Sequence, residues 1–398
     1  MTIDVRPPPG LADGPIYLDY NATTPTDPRV VEAMLPYLTT HFGNPSSAHR
    51  YADRPRLALA RARVQVANLI GASPEEIVFT GGGSESDALA IYGTVLACDR
   101  PGAAEVITQP TEHPAVLEAC RSLHRRHGTQ IIYLPVDADG MVDPGDLAKA
   151  ITPRTALISI MTANNETGVL QPIEELARIA REHGVPFHTD AAQAAGKIQL
   201  DAVELGVDLL SVAGHKLYAP KGIGALYIRT GLRIEALIAG GGQERGLRAG
   251  TEPIALAVGL GAAAELAGSE LAAGGPELLR RLRDRLHGLL EDHLPGRVYL
   301  NGHADRRLPG TLNIGITGLR GSDVLAATPG IAAATGSACH AGQPEPSPVL
   351  QAMSDDIDRA RSALRLTLGR WTTDDDIDRA AEQLTAAARR LLTYREPA

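Results

Sequence analysis

Ser211-Val-Ala-Gly-His-Lys-Leu-Tyr-Ala-Pro-Lys-Gly-Ile-Gly224 sets one lysine, Lys216, directly after the apolar run from Asp208 to Ala213 and flanks it with Gly214, Gly222 and Gly224. The run has the length and composition of a buried strand. A lysine leaving such a strand is costly to desolvate unless its amine has a task. A carbon–nitrogen double bond to an aldehyde cofactor is one such task, because a desolvated lysine is nucleophilic near neutral pH. The motif alone raises only that suspicion, to which Asp190 upstream and Cys339 downstream add.

Outward from this stretch, residues 75 to 230 alternate short β-rich runs with helix-like segments. Glu76 to Thr80, Glu105 to Thr108, Gln130 to Leu134, Thr155 to Met161, Pro186 to Thr189, Asp208 to Val212 and Gly224 to Arg229 read as strands. The alternation predicts an α/β domain with a mainly parallel sheet, whose ligands gather at the carboxyl ends of the strands. Ser84, His113, Asn164, Asp190 and Lys216 all follow such strands. Asp27-Pro28 reads as a cap for a helix to about Thr40, and Arg54 to Ile70 as a second helix. Beyond Gly240 to Gly250, an Ala/Leu-rich helical stretch reaches about His293. Strand-like Arg297 to Leu300, Thr311 to Gly315 and Ala363 to Leu368 come next, with a closing helix from Asp374 to Leu392. We therefore expect a large cofactor-binding domain over 15–262 and a small α+β domain over 263–398 that carries the Cys339 loop. Residues 1–14 are expected to pack alongside or to be disordered.

Composition narrows the function classes. The 398 residues, 44% hydrophobic and 21% charged, are those of a globular protein with a large core. A formal charge of −9 and the lack of a dense Lys/Arg block argue against nucleic-acid binding. Cys98, Cys120 and Cys339 form no close pair, which argues against a disulfide framework or a metal site. The Pro/Gly-rich start lacks the apolar core of a secretory signal, and no uninterrupted apolar run reaches membrane-spanning length, so the expected location is the cytoplasm.

Several side chains could carry chemistry. Asp190 ends a strand in Phe187-His-Thr-Asp-Ala-Ala-Gln193; such an Asp is most often a helix cap, and alternatively a partner for a protonated pyridine nitrogen. Thr80-Gly-Gly-Gly-Ser-Glu-Ser86 is a glycine-rich turn entering a helix, where Gly83, Ser84 and backbone N–H groups suit a phosphate. It is neither a Walker A motif nor a dinucleotide fingerprint. His113 reads equally as a core histidine or as a ring that stacks on a cofactor, and Asn164 as a turn residue or a hydrogen-bond donor. Cys339, in Gly336-Ser-Ala-Cys-His-Ala-Gly-Gln-Pro344, sits in what reads as an exposed, mobile loop, where a thiolate can act as a nucleophile. Arg365, inside apolar Ala363-Leu-Arg-Leu-Thr-Leu368, needs a partner, which a substrate carboxylate would supply.

Together these motifs resemble the cysteine desulfurases, enzymes of the class-V aminotransferase group with the aspartate-aminotransferase fold (fold type I). The likeness runs from Tyr17-Leu-Asp-Tyr-Asn-Ala-Thr-Thr-Pro25 through Leu364-Arg-Leu-Thr-Leu-Gly-Arg370. It implies pyridoxal 5′-phosphate bonded to Lys216, with Asp190 on the pyridine nitrogen, Gln193 on the ring hydroxyl and His113 stacked on the ring. Ser84 and His215 would hold the phosphate, joined across a homodimer by Thr251. Asn164 and Arg365 would take the substrate carboxylate, and Cys339 the sulfur. The implied reaction turns L-cysteine into L-alanine and leaves a persulfide for a sulfur-acceptor protein in iron–sulfur cluster or thiolation pathways. A selenocysteine lyase or an aminotransferase on the same scaffold is the alternative, and a catalytically silent sulfur carrier a more distant one. The spacing from Cys339 to Arg365 resembles the subgroup with the longer cysteine loop. One departure stands out: Ala213 occupies a position where the family commonly has a phosphate-binding serine, a bond worth about 1.5–3 kcal/mol.

Overall fold

Seven strands build one sheet in the order Ile77–Thr80, Gly224–Ile228, Leu209–Ala213, Phe187–Asp190, Thr155–Ser159, Glu105–Thr108, Gln130–Tyr133. The computed structural model describes residues 6–98, 104–336 and 346–395. Six of the seven strands are buried on both faces, which is why they read as continuous apolar runs rather than alternating ones. Gly224–Ile228 runs antiparallel to both of its neighbours, and the other pairs are parallel. The short connection from Ala213 to Gly224 forces this reversal, since it cannot hold the crossover that a parallel pair needs. Helices cover the sheet faces, so the expected mainly parallel α/β architecture is the one observed.

A second, antiparallel sheet joins Ala363–Thr367, Thr311–Ile316 and Val298–Leu300 in that order. It packs on the helices Gly275–His293 and Asp374–Arg395 through Leu282, Leu286, Ile314, Leu366, Ile377 and Leu384, a core separate from that of the large sheet. The expected domain limits need correcting at both ends. Ile16 and Leu18 pack in this second core, and Ile16–Tyr17 pairs in parallel with Ile331–Ala332. A cut at 262/263 falls inside the unbroken helix Ile254–Ala272. We place the division at Gly274, whose φ of +83° lets the chain turn between two helices that read as one stretch in sequence.

Ile254–Ala272 is long and apolar enough by composition to cross a bilayer, which the absence of an uninterrupted apolar run had not suggested. Its apolarity has a use here. Ala257, Leu260, Ala263, Ala264 and Ala267 pack in the large core against the helices Pro28–Thr39 and Asp53–Leu69.

Cys120 is buried in the helix Pro114–His127, and burial, helped by Glu112 and opposed by Arg121, pushes its thiol up to about 12. Near pH 8 only about one such thiol in 10⁴ is ionised. Brief alkylation of the native protein is expected to leave Cys120 unmodified by peptide mass analysis. Rapid labelling there would show that this helix opens readily.

Candidate active site

The carboxyl ends of the large sheet surround a cavity of about 270 Å³. The turn Gly81-Gly82-Gly83 leaves the first strand of that sheet and starts the helix Gly83–Leu96. Gly82 has φ +147°, a conformation that L side chains rarely adopt. A Cβ on Gly224 would lie 2.7 Å from the Gly82 carbonyl carbon, so glycine is needed for this close approach. No side chain caps the helix, and Gly83 and Ser84 line the cavity. First-turn N–H groups and the positive end of the helix dipole are thus available to an anion.

Lys216 ends the short turn Gly214–Lys216 after the strand Leu209–Ala213, and its Nζ donates to the carbonyls of Asn21 (2.6 Å) and Ala22 (2.9 Å). His215 beside it lines the same cavity, with Nδ1 3.1 Å from Thr23 Oγ1. Burial, then the charges of Lys216 and Lys221, push its imidazole down to about 4, so it is neutral at neutral pH. His113 caps the helix Pro114–His127 by accepting the Ala115 N–H on Nδ1 (3.1 Å). A neutral His113 therefore carries its proton on Nε2.

Three buried carboxyl groups cluster under the cavity: Asp190, Asp87 and Glu112. Burial raises all three above the usual carboxylate range. Of the three, only Asp190 has basic side chains opposing that rise, His113 first and then Lys216, and its Oδ1 accepts the Ala192 N–H at 2.8 Å. Asp190 is therefore, of the three, the acid best able to hold the negative charge.

Comparison with known proteins gives one consistent result. A family profile described as Aminotransferase class-V matches residues 16–380. A mouse protein named cysteine desulfurase is 47% identical over 95% of this chain and 82% of its own length. The cysteine desulfurase IscS of Rickettsia bellii is 44% identical over 95% of this chain and 92% of its own. This chain belongs to the class-V aminotransferase family.

Among solved class-V structures, a NifS-like protein superposes with a TM-score of 0.87 at 35% identity, covering 94% of this chain and 99% of that one. A structure described as SspA in complex with cysteine gives 0.79 at 38% identity, covering 90% and 99%. Cysteine desulfurases of this class-V family use pyridoxal 5′-phosphate, and the donor set here fits that group. The uncapped helix start suits the phosphate, the Lys216 amine the aldehyde, and the Asp190 carboxylate a cationic ring nitrogen. The Ala213 methyl stands 3.0 Å from where a Cβ on Gly83 would be, so the missing serine hydroxyl leaves apolar wall beside the cradle.

The structure brings Gly83, Ser84, His113, Asp190, Gln193, His215, Lys216 and Arg365 to this one cavity. Asn164 needs correction. Its Oδ1 accepts the N–H groups of Glu166 (2.8 Å) and Thr167 (2.9 Å), while Nδ2 donates to the Thr111 carbonyl (2.9 Å). The turn consumes that side chain, and it is Asn165 that lines the cavity. Thr251 lies in a separate surface groove with Phe42 and Asn44. In the loop leading to Thr251, Glu244 pairs with Arg63 (2.7 Å), and Glu244 and Arg245 have positive φ. Cys339 lies outside the described residues.

Asn21, Asn165, Asp87 and Lys197 were not picked out by sequence reasoning. Asn21 stood in the quoted Tyr17–Pro25 segment, but nothing local shows that this segment closes the cavity. A larger cavity of about 340 Å³ lies on the other side of Asn21, lined by Tyr20, Tyr218, Trp371 and Leu279. It shares Asn21 but none of the groups suited to the cofactor, so the smaller cavity is the candidate site.

Proposed function

We propose that this chain is a cysteine desulfurase that moves the sulfur of L-cysteine onto Cys339 and releases L-alanine. The observation that carries the reading is that the Lys216 amine, the Asp190 carboxylate and the Arg365 guanidinium share one cavity. Pyridoxal 5′-phosphate, when bound, supplies an electron sink for a carbanion at the substrate Cα. Lys216 is the base that takes the Cα proton. Arg365 holds the substrate carboxylate. It is 1% exposed, gives Nη2 to Asp19 (2.7 Å), and keeps a buried Nε with no hydrogen-bond partner among the described residues. The Cys339 thiolate attacks the substrate sulfur, forming an S–S bond as the C–S bond breaks.

The described residues that flank 337–345 support this reading. Ala334 pairs backbone to backbone with Arg365, Arg365 N–H donating to the Ala334 carbonyl at 2.6 Å. At the far end of the segment, Ser347 Oγ donates to Glu166 Oε2 at 2.5 Å, one residue from the cavity-lining Asn165. A thiol three residues beyond Gly336 has a chain reach of about 10 Å.

The test is to incubate the cofactor-loaded chain with L-cysteine and a thiol reductant. Equal amounts of alanine and sulfide are expected. Amino-group exchange with a keto acid, or turnover of selenocysteine alone, would overturn the reading in favour of an aminotransferase or a selenocysteine lyase. Asp190→Asn removes the charge that balances a cationic ring nitrogen. Alanine formation is expected to fall on the order of 10²-fold or more in cofactor-saturated protein, measured by steady-state assay.

The persulfide is proposed to pass to a sulfur-acceptor protein of an iron–sulfur or thiolation pathway, in the cytoplasm. We also propose a homodimer. Leu35, Leu38, Phe42 and Leu57 are all exposed, with Phe42 72% accessible, and Leu38 and Phe42 line the groove that holds Thr251. Sedimentation equilibrium is expected to give twice the chain mass, and Thr251 would then meet the phosphate of the neighbouring copy.

A further inference from the structure

Lys197 has no part in the reading above, yet it is half-buried beside Gln193 and its amine is bonded on two sides. Nζ donates to Gln193 Oε1 (2.7 Å) and to Asn21 Oδ1 (2.9 Å). Gln193 Nε2 donates to the Asn21 carbonyl (2.9 Å), which also takes Lys216 Nζ (2.6 Å). Asn21 Nδ2 donates to the Asn165 carbonyl (3.2 Å) and to Thr311 Oγ1 (3.0 Å).

The direction of every bond in this network follows from what its members can do. A peptide carbonyl only accepts, and an amide nitrogen only donates. The Asn21 carbonyl therefore turns the NH2 side of Gln193 toward itself, and the Asn165 carbonyl does the same to Asn21. Both side-chain oxygens are left facing one point, and Lys197 is the donor that fills it. Burial holds the Lys197 amine well below the ordinary lysine range, with Lys216 and Arg365 adding to the effect. The amine has hydrogens enough for both acceptors. Without Lys197, Gln193 keeps one bond and a buried orphan oxygen, so its amide is held less firmly.

We infer that Lys197 is a positioning residue that locks Gln193 with an N–H toward the cavity, so that Gln193 donates to the cofactor's ring oxygen rather than accepting from it. This rests on the proposed contact between Gln193 and that oxygen. A donated hydrogen bond stabilises negative charge on the oxygen. Losing it makes the oxygen more basic, so a proton shared with the neighbouring nitrogen is held to higher pH.

The experiment is a pH titration of the visible absorbance of full-length, cofactor-loaded protein, with no substrate present. Gln193→Met is expected to raise the midpoint by about one pH unit. Lys197→Met is expected to raise it in the same direction by at least about half as much. The double variant is expected to go no further than Gln193→Met alone, since Lys197 acts through Gln193. Lys197→Gln keeps a donor and is expected to load cofactor and hold the midpoint near that of the parent. If Lys197→Met leaves the midpoint in place while Gln193→Met moves it, or if the two shifts add, the inference on Lys197 fails alone. A Lys197→Gln shift as large as that of Lys197→Met also overturns it. If Gln193→Met itself moves nothing, the underlying contact is wrong and the inference falls with it.

Discussion

Lys216→Ala is expected to abolish turnover, with alanine formation from cysteine reduced at least about 10⁴-fold. The amine is the cavity's candidate for a covalent bond to an aldehyde and, once released, its base for the substrate Cα proton. No neighbour can replace it. Lys197 is bound to Gln193 and Asn21, and His113 Nδ1 is occupied by the Ala115 N–H. Borohydride reduction followed by peptide mapping is expected to place the pyridoxyl label on residue 216 of the parent, and to leave the alanine variant unlabelled. A label on another lysine of fully loaded parent protein would sink the assignment. The variant itself is expected to fold: of the two carbonyls that Nζ bonds, those of Asn21 and Ala22, the first keeps Gln193 Nε2.

Cys339→Ala is expected to separate binding from sulfur transfer. Lys216, Asp190 and Arg365 remain, so the protein should still load cofactor and change its absorbance when cysteine is added. Alanine and sulfide formation should drop by about 10³-fold or more, since the attacking atom is gone. Turnover of cysteine at the parental rate would show that another group takes the sulfur. Selenocysteine provides a useful contrast: selenium leaves more readily, so a reaction that survives with it but not with cysteine would isolate the role of the thiol.

Much of this architecture can be read along the chain because it is written in local terms. The strands of the large sheet are short apolar runs that appear within two residues of their expected ends, and Asp27 caps its helix by accepting the Arg29 N–H as its place before Pro28 suggests. The break at Gly274 was harder to see, since a glycine inside an Ala/Leu-rich stretch can be either tolerated within a helix or used to end it. The pairing of Ile16–Tyr17 with Ile331–Ala332 joins segments far apart in the chain, and two-residue strands leave no periodicity to find.

The site divides along the same line. Lys216, Asp190 and Arg365 were legible because charge inside or just beyond an apolar strand is costly, so each demands a partner wherever the chain goes. Asn164 and Asn165 show where such reasoning stops. Either could face a ligand, and only the carbonyl of Thr111, brought in from another loop, ties one of them into the turn and leaves the other at the cavity. Asn21 and Lys197 lie deeper still. Their use depends on hydrogen bonds with partners that converge only when the N-terminal segment crosses the sheet ends, a convergence that spacing along one strand or helix does not encode. Unpaired charge advertises itself in sequence, whereas an amide acquires a direction only from the neighbours that folding delivers.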